Sequence, residues 1–202
     1  MIEDAVMTVA RDQSMGSEAE LQMEVALLKE QLARAERRVE ELTALADRDP
    51  VVGVLNPRAF TRELARAVAG AARHGHEAAL VTLDIDGLKA INARHGRAAG
   101  DAALAHVGRI VSGHVRTTDA VGRVRDDEFA VLLAFANEKA AKRKMKRLVA
   151  KIAETPLLLR DGSEVAISVR YAVAAVCPKA GATEQLTDLG VRLHKDRSSE
   201  AA

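Results

Sequence analysis

The 202-residue sequence contains no Trp, one Tyr and three Phe. Stacking of nucleic-acid bases needs exposed aromatic rings, so this scarcity argues against a base-stacking protein. A single cysteine, Cys177, excludes an internal disulfide and favours a reducing compartment. Excess charge of one sign is lacking too. Thirty Lys and Arg against 29 Asp and Glu leave a net charge of +1, which points to neither nucleic acid nor a membrane surface. No apolar run approaches the roughly 18 residues that cross a bilayer. The opening MIEDAVMTVARDQSMG is acidic and has no apolar secretory core. The six histidines show no metal-ligand spacing. These absences lead to the expectation of a cytoplasmic protein with no nucleic-acid or membrane partner. What is present is 48% hydrophobic residues, enough for one domain and an appendage.

Residues 1–17 carry no pattern and are expected to be a disordered tail. From Leu21 onward, Val25, Leu28, Leu32, Ala35, Val39, Leu42 and Ala46 recur at alternating spacings of four and three. That is an a/d seam at a 3.5-residue period, flanked by Glu, Lys, Arg and Gln. It predicts a coiled-coil dimerisation helix over 18–48, with a long helix packed on its own domain as the alternative. Asp49-Pro50 ends it, because the residue before proline resists the helical region. A domain follows over 49–197, then a short tail over 198–202.

Within the domain, Asn56-Pro57 reads as a cap and first helical position, with Phe60, Leu64, Val68 and Ala71 on one face. EAALVTLDID predicts a buried strand near 78–85. A short helix near 87–94 and a helix bearing Leu104, Val107, Ile110 and Val111 come next. Strands near 119–124 and 128–135 form a hairpin. NEKAAKRKMKRLVAKIAE is a helix with the stripe Ala141, Met145, Leu148 and Ile152, its seven cations on a solvated face, with a basic docking patch as the alternative. Asp161-Gly162 makes a second hairpin turn, EVAISVRYAVAAV reads as one long strand, and a helix near 184–195 closes the chain. Mixed strands and helices with a tight hairpin predict a sheet covered by helices.

Three acids, Asp126, Asp127 and Glu128, crowd the first hairpin turn, while Asp84 and Asp86 end the first strand. If those strands are neighbours, Asp84 and Asp127 converge, and two carboxylates at one sheet edge repel unless a cation lies between them. Oxygen ligands of this kind suit magnesium shared with phosphate. From residue types alone, a metal site and a solvated turn both remain open.

The order of motifs favours the first. DPVVGVLNPRAF resembles D-x-L-T-G-L-x-N-R-x-x-F; DIDGLKAIN resembles D-I-D-x-F-K-x-I-N-D; GRAAGD resembles G-H-x-x-G-D; and RTTDAVGRVRDDEF resembles R-x-x-D-x-x-x-R-x-G-G-D-E-F. Residues 49 to about 195 thus resemble the GGDEF domain of diguanylate cyclases. The resemblance implies an α+β fold, a ferredoxin-like palm whose antiparallel sheet is flanked by helices. It implies magnesium held by Asp84 and Asp127, a signature acid at Glu128, and guanine read by Asn92 and Asp101. Lys195 is loosely similar to a triphosphate-binding lysine. Arg116 and Asp119 match the R-x-x-D site that binds cyclic di-GMP in the family; their alternative is a helix end and a strand start. Arginine offers a planar fork for phosphate or a guanine edge, and aspartate accepts from guanine N–H groups.

The departures gather at the chemistry. Arg125 and Asp126 replace the two signature glycines, residues suited to positive φ and to close approach of phosphate. Asp126 also adds charge: two like charges about 4 Å apart repel by roughly 4 kcal/mol at an effective dielectric of about 20, or about a thousandfold in rate or occupancy. Ala93, Arg97 and Leu88 replace family residues, and Ser199 stands where an Arg is expected. The expectation is a catalytically inactive regulatory or scaffold protein. It is dimeric, has an unnamed protein partner, and senses cyclic di-GMP through Arg116 and Asp119. Asp84, Asp127 and Glu128 are then vestigial, no cofactor is required, and magnesium enters only with a nucleotide. The alternatives are a cyclase of full or weak activity and an interaction module that binds no nucleotide.

Overall fold

The computed structural model describes residues 23–38 and 47–200, the last five as backbone. The chain divides into two units, residues 1–46 and 47–202. In the first, helix α1 spans 23–38 and contains neither Gly nor Pro. An ion pair of 2.7 Å joins Glu30 to Arg34 one turn on. Val25, Leu28 and Leu32 are 47%, 54% and 59% exposed, so the seam lies open to solvent along this helix. Leu21, Val39, Leu42 and Ala46 lie outside the described residues, as does the tail expected over 1–17.

The second unit begins with a bent segment. Asp49 Oδ1 accepts the N–H groups of Val51 and Val52, both at 3.0 Å. Helix α2 (Pro57–His74) starts where Asn56 Oδ1 accepts the Ala59 N–H at 2.9 Å. It ends at Gly75, whose φ of 66° suits a residue without a side chain. There follow β1 (Ala78–Ile85), α3 (Leu88–His95), α4 (Arg97–Gly113), β2 (Ala120–Arg123), β3 (Glu128–Ala134) and α5 (Glu138–Ala153). The chain closes with β4 (Leu157–Leu158), β5 (Glu164–Val165), β6 (Val169–Ala175) and α6 (Ala182–Glu200), which carries helical backbone past residue 197, where a tail was expected.

The main sheet has the order β2-β3-β1-β6, with every neighbouring pair antiparallel. This is the ferredoxin-like arrangement implied by the motifs. β1 lies inside and is covered on both faces. Ala79, Val81, Leu83 and Ile85 pack with Phe129, Val131 and the α4 and α5 residues Val107, Val111, Met145 and Leu148. Ala78 and Leu80 pack with Ala130, Leu132, the α2 residues Phe60 and Leu64, and Leu189 of α6. A strand buried on both sides needs apolar residues throughout most of its length, which explains the absence of polar alternation in AALVTLDI. α2 lies so close to β2 that a Cβ on Gly122 would meet the Phe60 Cβ at 2.7 Å.

The strand expected through EVAISVRYAVAAV is broken in two. β5 pairs with β4 in a separate small sheet around the Asp161-Gly162 turn, where Leu159 N–H donates to Ser163 O at 2.8 Å. β6 joins the main sheet only from Val169. Between them Ile167 is buried in the larger core, and Ser168 O accepts the Asp86 N–H at 3.0 Å. The backbone leaves one ladder to enter another, a change that the pattern of side chains does not record.

Candidate functional site

The β2–β3 hairpin brings the acids to the end of the sheet. Val124 N–H donates to Glu128 O at 2.9 Å, leaving Arg125, Asp126 and Asp127 at the bend. Asp84 stands directly opposite Glu128 in the β1–β3 register, and Ile85 N–H donates to Asp127 O at 3.3 Å. The first strand and the signature turn are therefore neighbours. Burial raises the Asp84 carboxyl above its usual range, and the charge of Asp127 raises it further, against the opposing pull of Arg170 and His194. Asp84 is 1% exposed, and its Oδ1 has no hydrogen-bond partner.

The turn itself corrects one expectation. Among the described residues only Phe135 is a non-glycine with positive φ, so Arg125 and Asp126 fit this bend without backbone strain. What Asp126 changes is charge and space. It lines, with Asp127, a cleft of about 410 Å³ whose other wall comes from α3 and α4. Asn92 and Asp101 line the same cleft, and Lys89, Arg97 and Arg123 place cations in it. The sequence reading assigned no binding role to these three cations, although each lies inside or beside a quoted motif. Arg123 is held by Asp49 at 3.2 Å and donates to Asp126 O at 2.7 Å, tying the entry segment to the turn.

Asn92 is placed by Gly100 on the next helix. A Cβ on Gly100 would fall 1.9 Å from Asn92 Oδ1, so only glycine leaves room for this side chain. That oxygen is buried and has no hydrogen-bond partner. A buried acceptor left open beside a cleft is suited to a donor brought by a ligand.

Two arginines act on the buried acids. Arg170 faces Asp84 across the β1–β6 ladder, and its Nη2 donates to Asp84 Oδ2. Its Nε donates to Asp86 Oδ1 at 2.5 Å. Glu128, 2% exposed, has Arg125 Nε 3.4 Å from Oε2. His194 Nε2 of α6 approaches Oε1 at 2.8 Å without the alignment of a hydrogen bond. Arg170 and His194 escaped the sequence reading, because the one lay within a strand given no site role and the other was one of six histidines without ligand spacing.

The remaining candidates lie elsewhere. Lys195 is exposed on α6, outside the lining of the cleft. Arg116 is exposed, and its backbone N–H donates to Asp119 Oδ2 at 2.9 Å. Asp119 Oδ1 accepts the Ala134 N–H at 3.1 Å, and Lys144 Nζ lies 3.4 Å from Oδ2. The Asp119 side chain, 3% exposed, is thus bonded within the fold. His106 is a core residue whose Nε2 meets Thr155 O at 2.8 Å.

The fit to magnesium is poor as the side chains stand. Among the described residues no three His, Cys, Asp or Glu side chains gather around a metal-sized point. The space between Asp84 and Asp86 is bridged by the Arg170 guanidinium. Magnesium asks for near-octahedral oxygen donors at about 2.0–2.1 Å, and a carboxylate oxygen already bonded to arginine is a weaker donor.

Comparison with known proteins agrees with the fold. The profile of the diguanylate cyclase GGDEF domain matches residues 46–190. Diguanylate cyclase TpbB of Pseudomonas aeruginosa is 35% identical over 143 residues, covering 70% of this chain and 33% of its own length. The chain spans about a third of that relative. The structure of an N-terminally truncated TpbB comprising only its GGDEF domain superposes with a TM-score of 0.70 at 31% identity, covering 75% of this chain and 89% of that one. The coiled coil and GGDEF domain of DgcB from Caulobacter crescentus, solved with cyclic di-GMP, gives 0.77 at 22% identity, covering 89% and 95%. With the motifs, the sheet order and the hairpin in agreement, this chain belongs to the GGDEF diguanylate cyclase domain family.

Proposed function

We propose that this GGDEF domain is a regulatory module that does not make cyclic di-GMP, is paired through the 18–48 helix, and responds to cyclic di-GMP at Arg116. The observation that carries the first clause is Asp126 in the wall of the cleft beside Asp127. A triphosphate tail there meets two adjacent carboxylates where the family signature offers bare backbone and one acid. The cleft keeps its guanine-side groups, Asn92 and Asp101, so nucleotide is held without being set up for transfer.

The second clause draws on the exposed seam of α1 and on the coiled-coil relative DgcB. For the third, Asp119 is a positioning residue: it fixes the turn that presents Arg116. Lys144 links Asp119 to a basic cleft of about 430 Å³ lined by His114, Arg143 and Arg147. The two phosphates of a cyclic dinucleotide suit such a surface. A protein partner has a precedent in the cyclase SiaD of Pseudomonas aeruginosa, seen with its activator SiaC.

Purified protein incubated with GTP and magnesium tests the central claim. Cyclic di-GMP should not accumulate above an Asp84→Ala control, and accumulation above it would establish a working cyclase. The cyclase reading is kept in view because Asn92, Asp101 and Asp127 share one cleft. Calorimetry with cyclic di-GMP should show heat that Arg116→Ala abolishes; no heat with cyclic di-GMP, GTP or GDP would leave only a protein-interaction role.

A further inference from the structure

β6 delivers Arg170 to the end of β1, in register with Asp84. Its forked head meets two carboxylates that are two residues apart on one strand end, Asp84 through Nη2 and Asp86 through Nε. The Asp86 N–H, bonded to Ser168 O at 3.0 Å, holds the second acid in that position. The arginine side chain is 23% exposed, and Asp84 1%. Planar, permanently charged and weakly hydrated, guanidinium is the side chain best able to sit between buried carboxylates. Asp127 adds a third acid at the same end of the sheet, where a buried carboxylate left without a partner is costly.

We propose that Arg170 is the resident cation of this site: its guanidinium takes the place between Asp84 and Asp86 that a divalent ion would otherwise fill. The Asp84–Asp86 pair is then neutralised by the chain itself and closed to Mn²⁺ or Mg²⁺. Removing the guanidinium uncovers the pair and creates a divalent-ion site. The inference rests on reading the cleft as a nucleotide site without turnover, but it concerns metal alone.

Titration with Mn²⁺ in the absence of nucleotide, read by the electron paramagnetic resonance of the free ion, tests it. The intact protein should show no saturable site that Asp84→Asn removes. Arg170→Ser should bind Mn²⁺ about tenfold or more tightly than the intact protein, since affinity follows the count of free charged ligands. The double variant Arg170→Ser/Asp84→Asn should lose that gain. A site in the intact protein abolished by Asp84→Asn overturns the proposal, as does a folded Arg170→Ser with no gain. Should Arg170→Ser fail to fold, the intact protein against Asp84→Asn still decides. Product from GTP without a metal site would sink the inactive reading and leave this one standing; a metal site without product would do the reverse.

Discussion

The two faces of β1 are built on different principles. One face, from Ala79 to Ile85, is apolar along its whole length and meets α4 and α5. The other begins with Ala78 and Leu80 under α2 and α6, passes through buried Thr82 and ends in buried Asp84. Neighbouring strands follow the same gradient, since Glu128 and Arg170 stand beside Asp84 in register. A strand covered by helices on both sides can thus form core on one face and a charged site on the other. The condition is that every buried charge finds a partner brought by another strand.

The comparison can be broken most forcefully at its charged end. Arg170→Met leaves Asp84 buried without its partner and should cost about 4 kcal/mol at neutral pH, as read from urea unfolding. On the apolar face, Leu83→Ala should cost about 3 kcal/mol through the cavity it leaves. If the arginine change costs clearly less than the leucine change, the charged end is solvated and the contrast between the faces fails.

A smaller effect sharpens the same contrast. The folded-state pKa of Asp84 lies above the ordinary aspartate value of 3.8. Folded protein therefore binds this proton more readily than unfolded protein, and the group opposes folding increasingly as pH rises from 3.8 through the raised value. The opposition is absent below that window and complete above it. Asp84→Asn should lack this contribution, so its stability relative to the parent should rise with pH across the window. A parallel pair of pH profiles would show that Asp84 is not strained.

Gly100→Ala acts on binding more than on folding. The new methyl group must displace Asn92, so GDP affinity measured by calorimetry should fall about tenfold, or about 1.4 kcal/mol. Helix propensity offsets part of any packing loss, and stability should change by less than about 1 kcal/mol. The smallest effect on the domain comes from Leu28→Lys with Leu32→Lys. Unfolding of the domain should shift by no more than about 0.5 kcal/mol, while light scattering should report monomers in place of dimers. A variant that remains dimeric places dimerisation outside the seam.

Much of the domain was legible along the chain because its signals are local. The run Ala78–Ile85, the Asn56 cap and the stripe Ala141, Met145, Leu148 and Ile152 each lie within a few turns or one strand. The hairpin followed from the strand patterns on either side of the acidic turn, whereas the approach of Asp127 to Asp84 depended on those strands being neighbours, which the register shows. The break at residues 166–168 was not legible, because Ala, Ile and Ser there are compatible with a continuing strand. Nor was the backbone at Arg125 and Asp126, where glycine in the family signature implied a positive φ that this turn does not use.

The sequence by itself determined the family, the strand and helix periods, and the acids that reach the end of the sheet, because these reside in spacing and residue type. Tertiary structure alone decided how those acids are neutralised. Arg170, which bridges Asp84 and Asp86, is 86 residues from Asp84 along the chain. Charge compensation in a buried site depends on distances across strands, and only the sheet register fixes those.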